Sequence, residues 1–127
     1  MVDDDPEDRS IMEDALLSIG QDAHFEENGI NALKYLESCE VLPGLIILDL
    51  NMPKLNGTET LERLQEDERL KTIPTIIYST SVNTVQKEKC LQRGASNYIV
   101  KPITYVQAIE IAQYFSRLCL SLSIEER

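Results

Sequence analysis

The sequence predicts an α/β domain, a parallel sheet with helices on both faces, and three observations carry that prediction. Helical and extended patterns alternate along the whole 127-residue chain, as βαβ units do. The most apolar run, Leu45-Ile46-Ile47-Leu48, is continuous rather than alternating, which suits a strand covered on both faces. Four of the extended runs deliver polar residues at their carboxyl ends: Asp3 and Asp4, Asp49, Ser79, and Lys101. Ligands of open α/β sheets gather at that edge.

Taken in order, Met1 and Val2 are all that remains of a first strand before Asp3. Two residues are too few to fill a central slot, so the first strand is expected to be mostly missing from this numbering, with residues before Met1 in the natural protein. Asp5-Pro6-Glu7-Asp8 reads as a helix start: an N-cap, a proline at the first position, then acids facing the dipole. Ile11, Met12, Ala15, Leu16 and Ile19 give a stripe of helical period from Pro6 to Ile19 that stops at Gly20. Residues 23–26 read as a short strand and 29–39 as a helix built on Ile30, Leu33 and Leu36. The buried strand 45–48 follows.

After a loop with Pro53 and Gly57, residues 58–70 carry Leu61, Leu64 and many charges, as a half-exposed helix should. Pro74 opens Thr75-Ile76-Ile77-Tyr78, a second apolar run rich in β-branched residues. Residues 83–93 form a predicted helix with Asn83 and Gln86 as a capping box and Gly94 as its stop. Tyr98-Ile99-Val100 is a fifth strand ending at Lys101-Pro102, and 104–122 the last helix, with Thr104 and Gln107 as a second capping box. No repeat or low-complexity stretch divides the chain, so residues 1–127 read as one unit.

Composition narrows the function. Twelve Lys and Arg stand against twenty-two Asp and Glu, a net charge of −10, which disfavours binding to a phosphate backbone. Nucleic acid is therefore not an expected partner. No apolar run suggests a membrane helix and no leader suggests secretion, so a cytoplasmic protein with no membrane partner is expected. Cys39, Cys90 and Cys119 lack metal-ligand spacing and read as reduced thiols.

The strand ends suit phosphoryl transfer onto a carboxylate, which needs an ionised nucleophile, a divalent cation and donors for the phosphoryl oxygens. Asp49 is the candidate nucleophile. Asp3, Asp4 and Asp49 would hold Mg²⁺, a cation that prefers oxygen ligands and keeps several waters, and the Asn51 carbonyl could complete the shell. Ser79 could donate its hydroxyl to a phosphoryl oxygen, and Lys101 is a compact charge suited to phosphate. Each has a plainer reading: Asp3 to Asp8 as a helix start, Ser79, Thr80 and Ser81 as turn residues, Lys101 and Asp49 as a structural ion pair.

In order along the chain, Val2-Asp3-Asp4, Leu48-Asp49-Leu50-Asn51-Met52-Pro53 with Gly57, Tyr78-Ser79-Thr80, and Gly94-Ala95 leading to Tyr98-Ile99-Val100-Lys101-Pro102 resemble the response-regulator receiver domains of two-component signalling, including the single-domain chemotaxis-regulator-like ones. The resemblance covers essentially the whole chain. It implies a flavodoxin-like, doubly wound five-stranded sheet in the order 2-1-3-4-5. It also implies Asp49 as phosphoacceptor, Asp3, Asp4 and the Asn51 carbonyl as Mg²⁺ ligands, Lys101 as the phosphoryl-binding cation, Ser79 as switch hydroxyl and Tyr98 as switch aromatic. Ser79 is preferred to Thr80 because it lies thirty residues after Asp49, the family separation. A cis Lys101-Pro102 bond is implied too.

The expected donor is a sensor histidine kinase or a histidine phosphotransfer protein. The chain would assist its own phosphorylation and hydrolysis without acting on outside substrates, and a protein target would read the switched surface. A monomer or weak homodimer is expected. The alternatives are a pseudo-receiver scaffold and an aspartyl-phosphate phosphatase; Asn51 stands where the phosphatase would want a second acid.

Overall fold

The computed structural model describes residues 1–50, 55–80 and 83–125, with side chains described as far as residue 119. The helices are α1 (Pro6–Ser18), α2 (Gly29–Ser38), α3 (Gly57–Glu66), α4 (Thr84–Gln92) and α5 (Tyr105–Glu125); the strands are β1 (Ile46–Asp49), β2 (Thr75–Ser79) and β3 (Asn97–Val100). All three strands are parallel in the order β1-β2-β3, with Asp49 opposite Tyr78 and Ser79 opposite Val100.

The sheet continues past β1 as bridges rather than strands. Val2 pairs in parallel with Leu48 on one side and Glu26 on the other. Val2 N–H donates to Ile47 O at 2.8 Å and Asp49 N–H to Val2 O at 2.9 Å; on the far side Glu26 N–H donates to Met1 O at 2.9 Å and Asp3 N–H to Glu26 O at 3.0 Å. The spatial sequence Glu26, Val2, β1, β2, β3 is thus the 2-1-3-4-5 order. The expected strand 23–26 is reduced to a single bridge, Glu26 to Val2.

Alternation along the strands divides the core between the two faces. Ile46, Leu48 and Ile77 pack with Ala32, Leu36, Leu61 and Leu64 of α2 and α3. Ile47, Ile76 and Tyr78 pack with Met12, Ala15 and Leu16 of α1 and Ala108, Ala112 and Phe115 of α5. Helices therefore cover both sides, and burying a side chain such as Met12 or Leu48 contributes about 2 kcal/mol.

Helix ends follow local chemistry. Gly20 at φ +74° and Gly94 at φ +107° adopt the left-handed backbone that ends α1 and α4. Thr104 and Gln107 form their reciprocal capping pair, Gln107 N–H to Thr104 Oγ1 at 3.2 Å and Thr104 N–H to Gln107 Oε1 at 3.4 Å. Asn83 caps α4 by accepting Gln86 N–H at 3.0 Å. The third helix stops earlier than periodicity predicts, at Glu66. Asp67 accepts the Arg69 and Leu70 N–H groups at 2.8 and 3.0 Å, an Asx turn that competes with the helix and starts a 3₁₀ turn over Leu70–Thr72. Among the described residues no peptide bond is cis, so Lys101-Pro102 departs from the implied geometry. No helix among them is long and apolar enough to cross a membrane.

Candidate functional site

The site is built from the exits of β1, β2 and β3 and the start of α1. Asp5 caps α1, its carboxylate accepting the N–H groups of Glu7 at 2.9 Å and Asp8 at 3.3 Å. Its own N–H donates to Asp3 Oδ1 at 3.0 Å, and Arg9 Nη1 donates to Asp3 O at 2.6 Å. The capping reading holds and leaves room for the site reading, because Asp5 starts the helix while Asp3 and Asp4 precede it.

Asp3 is 0% exposed and Asp49 5%. Carboxylate oxygens of Asp3, Asp4 and Asp49 lie within 4.8 Å of one another. Like charges this close repel one another unless cations offset them. One cation is built in. Lys101, 8% exposed, follows β3, and its Nζ lies 2.9 Å from Asp3 Oδ2, 2.9 Å from Asp8 Oδ2 and 3.5 Å from Asp49 Oδ2. It also stands 5.6 Å from the Tyr78 ring centre, within cation–π range.

Burial alone would lower the Lys101 ammonium, but the hydrogen bond to Asp8 and the close carboxylates of Asp3 and Asp49 outweigh it and hold it well above its usual range. Burial, reinforced by the negative charges of Asp8, Asp3 and Asp49, likewise pushes the Tyr78 phenol far up. Lys101 is therefore charged and Tyr78 neutral at physiological pH.

Asp4, Asp5, Pro6, Asp8, Asp49, Thr80 and Lys101 line a solvent-open cavity of about 460 Å³ at this edge. An apolar cavity of about 400 Å³ at the other end of the strands, beside Met1, Ala23 and Gly44, contains none of these groups. The residues at the acidic edge fit a hard divalent cation: the donors are all carboxylate oxygens, and buried Asp3 Oδ2 has an ion-pair neighbour but no hydrogen bond of good geometry.

Asp3, Asp4, Asp49 and Lys101 are thus brought together as expected. Asn51, together with Met52, Pro53 and Ser81, lies outside the described residues. Ser79 ends β2 and is 1% exposed; its carbonyl accepts Lys101 N–H at 2.7 Å. Thr80, the next residue, lines the cavity. Tyr98, 6% exposed, pairs with Ile77 and joins the core on the α2–α3 side. By strand alternation Ser79 shares that face with Ile77 and hence with Tyr98.

Gly57 lets α3 start against the exit of β1. A Cβ there would lie 2.2 Å from Asp49 O and 2.6 Å from Leu50 Cα, and Gly57 N–H donates to Leu50 O at 2.9 Å. Sequence reasoning missed one partner of Lys101, Asp8. The only signal was its place three residues after the N-cap, in the turn that opens toward the strand ends.

Comparison with known proteins agrees with this architecture. The family model for the response regulator receiver domain matches residues 1–113. The chain is 33% identical over 117 residues to the two-component response regulator ORR11 of Oryza sativa subsp. indica, covering 92% of this chain and 77% of that one. It is also 33% identical over 105 residues to the chemotaxis protein CheY1 of Helicobacter pylori, covering 82% and 84%. Among solved structures, the phosphorylated cyanobacterial phytochrome response regulator RcpA superposes with a TM-score of 0.84 at 29% identity, covering 94% of this chain and 91% of that one. A response regulator receiver domain from Rhodospirillum rubrum superposes with a TM-score of 0.80 at 26% identity, covering 91% of each.

Proposed function

The chain belongs to the response-regulator receiver domain family, and from that premise we propose that it accepts a phosphoryl group on Asp49 from the phosphohistidine of a sensor kinase or phosphotransfer protein. The observation that carries the reading is the convergence of Asp49, Asp4 and Lys101 on one open cavity, with the buried Asp3 carboxylate against them. RcpA, similar in fold and sequence, has been crystallised phosphorylated, which supports it further.

An Asp49 carboxylate oxygen attacks phosphorus, the P–N bond to the donor imidazole breaks as the P–O bond forms, and the imidazole leaves. Asp3, Asp4 and Asp49, with the Asn51 carbonyl, would hold Mg²⁺, which when bound offsets the charge of the phosphoryl oxygens. Lys101 supplies an ammonium beside the acceptor, and its charge is worth more for being desolvated. Hydrolysis runs on the same groups: water attacks phosphorus, inorganic phosphate leaves and the Asp49 carboxylate returns.

Ser79 is the switch hydroxyl and Tyr98 the switch aromatic. Their shared face supports that pairing, because a movement of Ser79 toward the phosphoryl group alters the space beside Tyr98. The readout surface is α4, β3 and α5, where a protein target would bind. A partner must prefer one form of it, since a ligand shifts an equilibrium only by its differential affinity. Residues 1–127 act as one receiver unit.

Incubation with acetyl phosphate and Mg²⁺ tests the proposal. The wild type takes up one phosphoryl group and Asp49→Asn takes up none, both read by intact mass. An unlabelled wild type would identify a scaffold, and continuous release of phosphate from unrelated phosphate esters a phosphatase.

A further inference from the structure

Lys101 is engaged more closely by two other carboxylates than by the acceptor. Its Nζ lies 2.9 Å from both Asp3 and Asp8 and 3.5 Å from Asp49. Of these, the contact with Asp8 Oδ2 is a well-formed hydrogen bond. Two carboxylates nearer than the acceptor thus compete for this ammonium with any phosphoryl oxygen on Asp49.

Asp3 cannot yield. It is fully buried, its Oδ1 accepts the Asp5 N–H, and its own N–H is bonded to Glu26 O. Asp8 can: its side chain is 29% exposed and it lines the open cavity. Its position is nevertheless fixed in register, because the Asp5 cap and Pro6 set the first turn of α1 facing the end of β3.

Asp8 also bears on the incoming group through its charge. A phosphoryl donor entering this cavity meets a carboxylate that repels it and that competes for the lysine it needs.

Resting on the reading of Asp49 as phosphoacceptor, we propose that Asp8 is a positioning residue: it holds Lys101 nearer to itself than to Asp49 in the unphosphorylated site and gives it up to the phosphoryl group, so that it sets how readily the site is phosphorylated. Asp8 touches neither phosphorus nor the attacking oxygen. Its influence runs through Lys101 and through the field in the cavity.

The test compares labelling rates with acetyl phosphate and Mg²⁺ for the wild type, Asp8→Asn and Asp8→Glu, at low and high salt. Asp8→Asn, which keeps the shape and removes the charge, is expected to label about tenfold faster at low ionic strength, the gain shrinking as salt screens the repulsion. Asp8→Glu, which keeps the charge, is expected to stay near the wild-type rate. A merely structural Asp8 would slow labelling when replaced and would give no salt-dependent gain. If the wild type labels and Asp8→Asn is equal or slower, the positioning role is wrong while the phosphoacceptor reading stands; if the wild type never labels, both fall. Should Asp8→Asn not fold, Asp8→Ser makes the same comparison, and a rate no higher than wild type overturns the positioning role.

Discussion

Lys101 is the residue on which the electrostatics of the site turn. It is a nearly buried cation holding three carboxylates from two distant stretches of chain. Removing one partner of such a group leaves uncompensated buried charge, so Lys101→Met is expected to lower stability by about 3 kcal/mol, read as a fall in the urea midpoint. The pH dependence has a definite sign. Lys101 is held above its ordinary value of 10.5, so its stabilisation is complete below that pH and fades as pH rises through the folded value. Tyr78 is held above its ordinary value of 10.0; above that pH the unfolded phenol ionises while the folded one does not, which also favours unfolding. These two contributions leave the urea midpoint flat from pH 7 to 9.5 and lower it above about pH 10; burial also holds the Cys90 thiol above its ordinary 9.0 and adds an earlier decline, so the check is made in Cys90→Ala, where a decline that begins near pH 8 would contradict the assignment. Asp49 and Lys101 were legible in the sequence because each ends an apolar run, where an isolated charge would be expensive. Asp8 was not, since its partner lies 93 residues away and only the placement of α1 against the end of β3 joins them.

At the scale of elements, ends marked by one unopposed local signal were legible, and the end at which two local signals compete was not. Glycine stops after α1 and α4 and the Thr104–Gln107 cap arise within a few residues and were readable. The end of α3 was not, because the Asp67 side chain takes over N–H groups that periodicity alone would assign to the helix. Nor was its start. Asn56 accepts Glu59 N–H at 2.9 Å and Glu59 Oε1 accepts Asn56 N–H at 3.4 Å, a capping box that fixes the first turn beside Asp49. Gly57 sits in that turn, and the nearest obstacles to a side chain there are backbone atoms of Asp49 and Leu50, which cannot rotate away. Gly57→Ala is therefore expected to cost about 2 kcal/mol by overpacking, and to slow labelling of Asp49 because relief requires the acceptor's own backbone to shift. Normal labelling with an unchanged urea midpoint would show that α3 yields instead.

Over the whole molecule, a net charge of −10 opposes the compact state by self-repulsion. The repulsion is sharpest where Asp3, Asp4 and Asp49 converge, offset there by Lys101 and by the Arg9 bond to the Asp3 carbonyl. Two remedies are physically distinct. Added monovalent salt screens exposed charges everywhere within a Debye length of about 8–10 Å but acts weakly on buried ones. A cation bound at the acidic edge acts only there, and it stabilises the folded chain by mass action because the unfolded chain does not assemble the three carboxylates. At one hundred times its dissociation constant such binding contributes about 2.7 kcal/mol. Mg²⁺ should accordingly raise the urea midpoint well beyond NaCl of equal ionic strength, and EDTA should reverse the gain. Asp4→Asn should abolish the Mg²⁺ increment while leaving the NaCl response in place, since Asp4 is the half-exposed member of the trio and contributes little to the core. Equal responses to the two salts would mean that the carboxylates at the strand ends act as ordinary surface charge rather than as a cation site, and the phosphoryl chemistry assigned to Asp49 would lose its counter-charge.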